Sequence, residues 1–417
     1  STSEKRRCEH HLKATLSIWN REVELLEQDH GIRTLDDLIL WLEHTAQNQK
    51  QCRVYPMDRE LRLKLPDVPG VYRFLRSNGD LLYIGKAKSL KSRVNSYFQQ
   101  NRKQPEHVLE MLSQACDIDY TDSDSAIEAA ILETDEIKRH SPPYNIALKH
   151  GDRETGFSSR DFLNQTPKPD KTEILGPLPA PDTLVPLALL SELTAAREAQ
   201  AEDVSAVLNI PDEYAPALLV FREGLAEFFQ RYETELRSNS AYRNFIRLGA
   251  MFWKKRLDEA DEAILEEDDL IEEGIDEIED EEWEWTPDAV ANAVEGVVRR
   301  CVHLIRRARW FCLVSESSLA WERGHKGKSY RNYLVIHKGK LMGTGVLKDG
   351  EDIPVPSGYQ RSTLLRQQSF DVATYDRMRV VTTEIRRLLS EGREVELCLR
   401  PNTVLKNKSL KRFLLWV

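Results

Sequence analysis

At 417 residues, 41% of them hydrophobic, the chain can bury two or three domain cores, and with no run of eighteen apolar residues it offers no membrane span. The net charge of −10 is local: eighteen Asp and Glu and no Lys or Arg fall between Leu257 and Asp288, leaving +8 on the rest. Six scattered cysteines, Cys8, Cys52, Cys116, Cys301, Cys312 and Cys398, form no C-x-x-C pair, which excludes a disulfide framework and a closed zinc site.

The first residues, Ser1 to Arg7, lack the apolar stretch of a signal peptide, so a soluble cytoplasmic protein is expected. Ser1 fits either removal of an initiating Met or trimming from a longer chain. Residues 1–52 read as a helical prefix: Leu12, Leu16, Trp19, Val23 and Leu26 keep a helical period, Gly31 breaks it, and Leu35, Leu38, Ile39 and Leu42 resume it. Cys8-Glu9-His10-His11 reads as polar helix surface rather than a metal site. Leu61 to Leu65 then reads as an entry strand or turn.

The segment 61–150 carries the densest set of signals. Val71 to Leu75 and Leu81 to Ile84 flank Ser77-Asn78-Gly79-Asp80, a β-hairpin with a tight turn that puts Tyr72 and Tyr83 on adjacent strands. Lys86 to Arg93 is a basic segment entering a helix whose apolar side is Leu90, Val94, Tyr97 and Phe98. Between Arg73 and Lys103 eight basic residues face one acid, so Lys88, Lys91, Arg102 and Lys103 are candidates for contact with a polyanion. Ser125-Ala126-Ile127-Glu128 is a capping box opening a helix to about His140, stopped before Pro142-Pro143. On that helix Glu133 shares a stripe with Ala126, Ala130 and Ile137, which places a carboxylate among small apolar neighbours and makes it the candidate metal ligand.

These segments together, Leu65 to Tyr72, Tyr83 to Phe98 and Glu128 to Asn145, resemble the GIY-YIG nuclease domain in the version found in the bacterial excinuclease UvrC and its shorter homologue Cho. The resemblance covers about a fifth of the chain. It implies a small α/β domain, mostly antiparallel sheet with helices, and a Mg²⁺-dependent endonuclease (Mn²⁺ as a substitute) with Glu133 as metal ligand, one carboxylate plus waters suiting magnesium. Tyr72 and Tyr83 would supply a general base and an orienting hydroxyl, in an order left open, with Lys86 and the metal lowering the phenol pKa from its ordinary ~10. Arg93 would clamp the scissile phosphate, and Asn145 would fix the site's geometry. Also implied are DNA as substrate, UvrA and UvrB as partners, and one incision on the 3′ side of a lesion in nucleotide excision repair. Two alternatives stand beside this reading: a free-standing structure-specific nuclease, and a DNA-bound scaffold without activity.

Beyond Asn145 the sequence departs from the usual UvrC continuation, and no cysteines suit the iron-sulfur cluster some relatives carry. Residues 151–186 are proline-rich and read as a connector, 187–256 as a helical region, 257–288 as an acidic segment and 289–417 as a basic α/β module. In the last, Phe311 to Val314, Leu319 to Trp321, Tyr333 to Ile336 and Leu341 to Gly343 read as strands, Asp371 to Leu389 as a helix, Val395 to Leu399 as a strand and Leu405 to Trp416 as a helix. The order resembles the ribonuclease H-like half of UvrC, but its carboxylates are not matched. The fourth strand ends in Arg400-Pro401, leaving Glu316, Asp376 and Glu384 as strays, so a degenerate module without a second active site is expected. Gly327-Lys328-Ser329 imitates the end of a P-loop, yet Glu322 stands where glycine is needed, so no nucleotide site is expected. The whole is an α+β, multi-domain chain.

The acidic segment admits two readings, since its carboxylates repel one another while Ile264, Leu265, Leu270, Ile271, Ile275, Ile278, Trp283 and Trp285 could dock it. If it covers a basic surface, deleting Asp258 to Glu284 tightens binding to plain duplex DNA and steepens its salt dependence. Unchanged affinity and slope across a salt titration would leave a solvated linker.

Overall fold

The structure is a computed structural model and describes residues 2–46, 55–99, 104–145, 154–168, 174–196, 200, 203–259, 285–323, 330–348, 350–354, 370–400 and 403–414. Arg102, Lys103, most of the acidic segment, Gly327 to Ser329 and Pro401 lie outside these residues, as do the side chains of Cys8 to His11 and Arg400. Helices α1 (Thr2–His30) and α2 (Leu35–Ala46) meet at Gly31, whose φ of +68° is the left-handed value a side chain would resist. His30 and Trp41 rings pack at 5.0 Å, whereas Leu12, Leu16, Trp19, Leu35 and Leu42 stay exposed. Where an entry strand or turn is expected, α3 (Arg59–Leu63) is a short helix, because Asp58 caps it by accepting a hydrogen bond from the Glu60 N–H.

The hairpin forms as β1 (Gly70–Leu75) and β2 (Leu81–Ala87), with Gly79 at φ +86° in the turn and the Asp80 N–H donating to Asn78 Oδ1 at 3.0 Å. Helices α4 (Leu90–Ser96) and α5 (Glu106–Gln114) follow, then β3 (Asp117–Asp122), which pairs with the far side of β1 to give an antiparallel sheet of order β2-β1-β3. Alternation along β1 sorts the sheet's faces. Tyr72 and Phe74 join Leu90, Val94, Tyr97, Met111 and Leu112 in one core, while Val71 and Ile84 meet Ala129 and Ile137 of α6 (Ala126–His140) on the other face. The Ser125 hydroxyl accepts from the Glu128 N–H at 3.2 Å, so the capping signal operates, and Ser141 closes the helix in a left-handed conformation.

Within the proline-rich stretch, β4 (Gly156–Ser158), β5 (Gln165–Thr166) and β6 (Leu175–Leu178) form a small sheet. Phe162, Leu175 and Leu178 are buried in the helical core that follows, so these residues fold rather than merely connect. That core comprises α7 (Val185–Ala196), α8 (Asp203–Leu208), α9 (Leu218–Arg231), α10 (Ala241–Glu259) and the first turns of α11 (Pro287–Val314). Thr286 caps α11 and Pro287 opens it, where its missing N–H costs nothing. Val290 to Ala308 pack in the helical core and Trp310 to Val314 in the next one, so α11 runs through both and no boundary separates them at 289. Phe311 to Val314 are therefore helix, not strand; a four-residue apolar run does not reveal its period on its own.

The C-terminal module continues with β7 (Ser317–Glu322), β8 (Arg331–His337), β9 (Lys340–Leu347), α12 (Val372–Ser390), β10 (Val395–Arg400), β11 (Thr403–Lys406) and α13 (Asn407–Leu414). Its sheet has the order β11-β10-β7-β8-β9, antiparallel throughout. It gains one strand that was not expected, β11, because Leu405 pairs with Leu397 and the last helix waits until Asn407. Helix α12 is sandwiched between this sheet and α6, whose Ile127 and Ile131 enter the same core as Met378, Val381 and Ile385. Among the described residues no helix is long and apolar enough to cross a membrane. Ile131→Ala removes apolar contact at the joint between α6 and α12 and should lower unfolding stability by about 2–5 kcal/mol, read from the urea midpoint. A loss under about 1 kcal/mol would mean that the joint does not form.

Candidate active site

The site grows around Gly85, opposite Tyr72 in the β1–β2 register. A Cβ at Gly85 would lie 2.4 Å from the Tyr72 hydroxyl and 2.8 Å from a Tyr83 ring carbon, so a glycine here is the condition for both rings to stand over the strand. The Tyr72 and Tyr83 ring centroids are 6.2 Å apart. Tyr72 is fully buried, and its hydroxyl lies 2.9 Å from that of Tyr97, just past the end of α4. Ser89 caps α4 by accepting from the Ser92 N–H, and one turn on Arg93 brings its guanidinium to 5.1 Å from the Tyr97 ring.

Glu133 arrives from the opposite direction on α6, where Ala130 and Ile137 bury the helix face around it. Its Oε1 accepts the Lys86 backbone N–H at 2.9 Å, which anchors the carboxylate to the end of β2. Burial pushes the Glu133 carboxyl above its ordinary value, the Glu384 charge adds to that, and Lys86 and Arg93 oppose it. Burial likewise pushes both phenols up, Tyr72 well above 10 and Tyr83 in the same direction, and the neighbouring Tyr97 adds to both. The Arg93 guanidinium works against both shifts.

Asn145 is buried beside the free edge of β2. Its Oδ1 accepts from the Ile84 N–H and its Nδ2 donates to the Ile84 carbonyl, both at 2.9 Å, so one amide does the work of a neighbouring strand for the residue between Tyr83 and Gly85. Lys88 and Lys91 lie on the exposed rim, and Arg102 and Lys103 are beyond the described residues.

Three contributors were not singled out from sequence as site residues. Tyr97 reads there only as the apolar side of a helix, although its position four residues after Arg93 was a usable signal. The others, Glu384 on α12 and Glu391 at its C-cap, have no local signal. Glu384 Oε1 accepts from Lys86 Nζ at 3.1 Å, and Glu391 Oε1 accepts from Lys88 Nζ at 2.7 Å. Of the three stray acids of the C-terminal module, Asp376 pairs with Lys138 of α6 and Glu316 lies 2.8 Å from His337 Nδ1. Each has a cationic or ring-nitrogen partner, and among the described residues no group of three or more His, Cys, Asp or Glu could hold a metal.

Residues 68–146 match the family model described as the UvrC-like GIY-YIG domain. This stretch is a UvrC-like GIY-YIG domain. It is 48% identical over 97 residues to UvrABC system protein C of Psychrobacter sp. (strain PRwf-1), covering 22% of this chain and 16% of that protein. Against the same-named protein of Clostridium perfringens (strain SM101 / Type A) the identity is 45% over 96 residues, covering 23% and 15%. A solved structure, the GIY-YIG N-terminal endonuclease domain of UvrC from Thermotoga maritima bound to its catalytic divalent cation, magnesium, is 35% identical, covering 22% of this chain and 100% of that one, with a TM-score of 0.20. The chain thus spans about one sixth of the length of these curated relatives, and the likeness lies in the GIY-YIG domain.

Gly85→Ala should force Tyr72 off its seat and lower stability by about 1–3 kcal/mol in denaturant unfolding. An unchanged midpoint would show that the hairpin absorbs the methyl group without cost.

Proposed function

We propose that the chain is a Mg²⁺-dependent DNA endonuclease that hydrolyses one phosphodiester with its GIY-YIG site. The observation carrying this reading is the convergence on Gly85 of Tyr72 and Tyr83 from the hairpin, Arg93 from α4 and Glu133 from α6, inside a domain nearly half identical to its UvrC relatives. The donor set suits the ion: a single half-buried carboxylate, raised in pKa by desolvation, regains its charge next to a divalent cation that keeps several waters. Glu133 would hold it. When bound, the ion supplies Lewis-acid polarisation of the phosphate and lowers the pKa of nearby donors.

The chain's own residues then divide the remaining work. Arg93 presents a planar fork of donors to the phosphate oxygens and counters the charge that develops there. The tyrosine hydroxyls orient the attacking water, and one of them, having lost its own proton to solvent once cationic charge reverses the upward push of burial, takes the water's proton as a phenolate. Asn145 holds Ile84, and with it the positions of Tyr83 and Gly85.

For the setting of this activity we favour incision near a lesion in nucleotide excision repair, with UvrA and UvrB as partners, on the strength of the relatives' name, UvrABC system protein C. The C-terminal module then belongs to docking and control rather than to a second incision, because Asp376 and Glu384 are engaged with lysines of the GIY-YIG domain. The test uses the full chain, Mg²⁺, and lesion-bearing and plain duplexes with and without UvrA and UvrB. One nick that needs both lesion and partners is expected; equal cutting of plain flaps would instead mark a free-standing structure-specific nuclease. Glu133→Gln should abolish the nick while DNA binding persists, and Tyr72→Phe or Tyr83→Phe should slow it by about 10²-fold or more where that hydroxyl is the base. Full activity of Glu133→Gln in Mg²⁺ would overturn the assignment.

A further inference from the structure

Helix α12 lays a row of carboxylates along the basic rim of the GIY-YIG domain. Glu384 accepts from Lys86 and Glu391 accepts from Lys88, while two turns back along α12 Asp376 pairs with Lys138 and Arg377 Nη2 donates to Asp135 at 2.6 Å. The outer pairs, together with Ile127 and Ile131 in the shared core, fasten α12 to α6. The inner two differ, because their lysines are the ones that would meet a nucleic-acid backbone. The Lys86 and Lys88 side chains keep 41% and 64% of their exposure, so a phosphate can reach both without moving the module. The acids also have a second partner ready: Arg387 Nε donates to Glu384 Oε2 at 2.7 Å, and its Nη1 donates to Glu391. Lysines can therefore turn to an incoming phosphate while both carboxylates remain neutralised.

We infer that Glu384 and Glu391 act as built-in competitors of the DNA backbone, seated on Lys86 and Lys88 until phosphates displace them and thereby raising the affinity a substrate must have to enter the site. This rests on the nuclease reading for the identity of the polyanion. Burial pulls the Glu391 carboxyl upward, but Lys88 and Arg387 hold it at about 2, so it stays ionised across the working pH range. Because it does, displacement and not protonation has to clear the seat. A weak substrate, such as intact duplex, meets this competition in full; DNA held in place by further contacts overcomes it.

The test measures binding of the full chain to a labelled plain duplex, with Ca²⁺ in place of Mg²⁺ to suppress cutting, across a salt series, and then cutting in Mg²⁺. The double variant Glu384→Gln/Glu391→Gln should bind about three- to tenfold more tightly and with a steeper salt slope, because two lysines now enter the complex free of internal partners. Glu391→Gln alone, at a side chain 31% exposed and thus safe for folding, should move the same way by less. Glu24→Gln/Glu233→Gln removes equal charge from exposed positions elsewhere and should change neither quantity. Tighter binding by the double variant with no cutting by any form would keep the competitors and sink the nuclease. Cutting with unchanged or weaker binding by the double variant would keep the nuclease and sink the competitors, as would an equal gain in the control. Absence of both binding and cutting in all forms would sink both.

Discussion

Helix α6 is buried on two sides, and the site depends on it. Ala129 and Ile137 seat it on the β1–β2 hairpin, whereas Ile127 and Ile131 belong to the core shared with α12. A helix gripped on both flanks has little freedom to rotate, since a shift of one residue turns its faces by about 100° and would expose one apolar set while burying charge. Glu133 lies between the two grips, and Glu136, on the hairpin side, receives two donors from Arg73 of β1. The metal-type carboxylate is thus placed by packing that has no chemical role of its own.

The same burial that places these groups also sets their charge. Two phenols and a carboxylate sit where water is scarce, and all three are driven toward their neutral forms. Such a site stores a demand for positive charge: Arg93 meets part of it, and a divalent cation beside Glu133 would meet the rest. Tyr97, whose hydroxyl lies 2.9 Å from that of Tyr72, adds to the upward push on both Tyr72 and Tyr83.

The match to the family model ends at residue 146, yet the fold does not treat that point as an edge. Thr155 Oγ1 donates to the Phe370 carbonyl, Phe157 enters the C-terminal core, and α11 passes from the helical core into the same core. A domain with close relatives elsewhere is here walled on one side by elements those relatives' matched regions do not include, and α12 contributes acids to the rim of its site.

Much of the GIY-YIG domain was legible in the sequence because its determinants are local. A tight turn at Asn78-Gly79, a capping box at Ser125 and prolines after Ser141 act within a few residues, and period-2 and period-3.6 patterns assign Tyr72, Arg93 and Glu133 to their elements. Misreadings arose where local signals tie: Leu61 to Leu65 alternates like a strand but is capped as a helix by Asp58, and Phe311 to Val314 is apolar enough for either state. Whatever depends on partners distant in sequence was out of reach. The pairing of Lys86 with Glu384 spans 298 residues, and that of Lys88 with Glu391 spans 303. By itself the sequence placed Tyr72, Tyr83, Arg93 and Glu133, the residues of the proposed site, on their own elements. Only the tertiary structure decided that α12 stands against that site, because the ion pairs and apolar contacts that bring it there are made between surfaces whose meeting no local periodicity records.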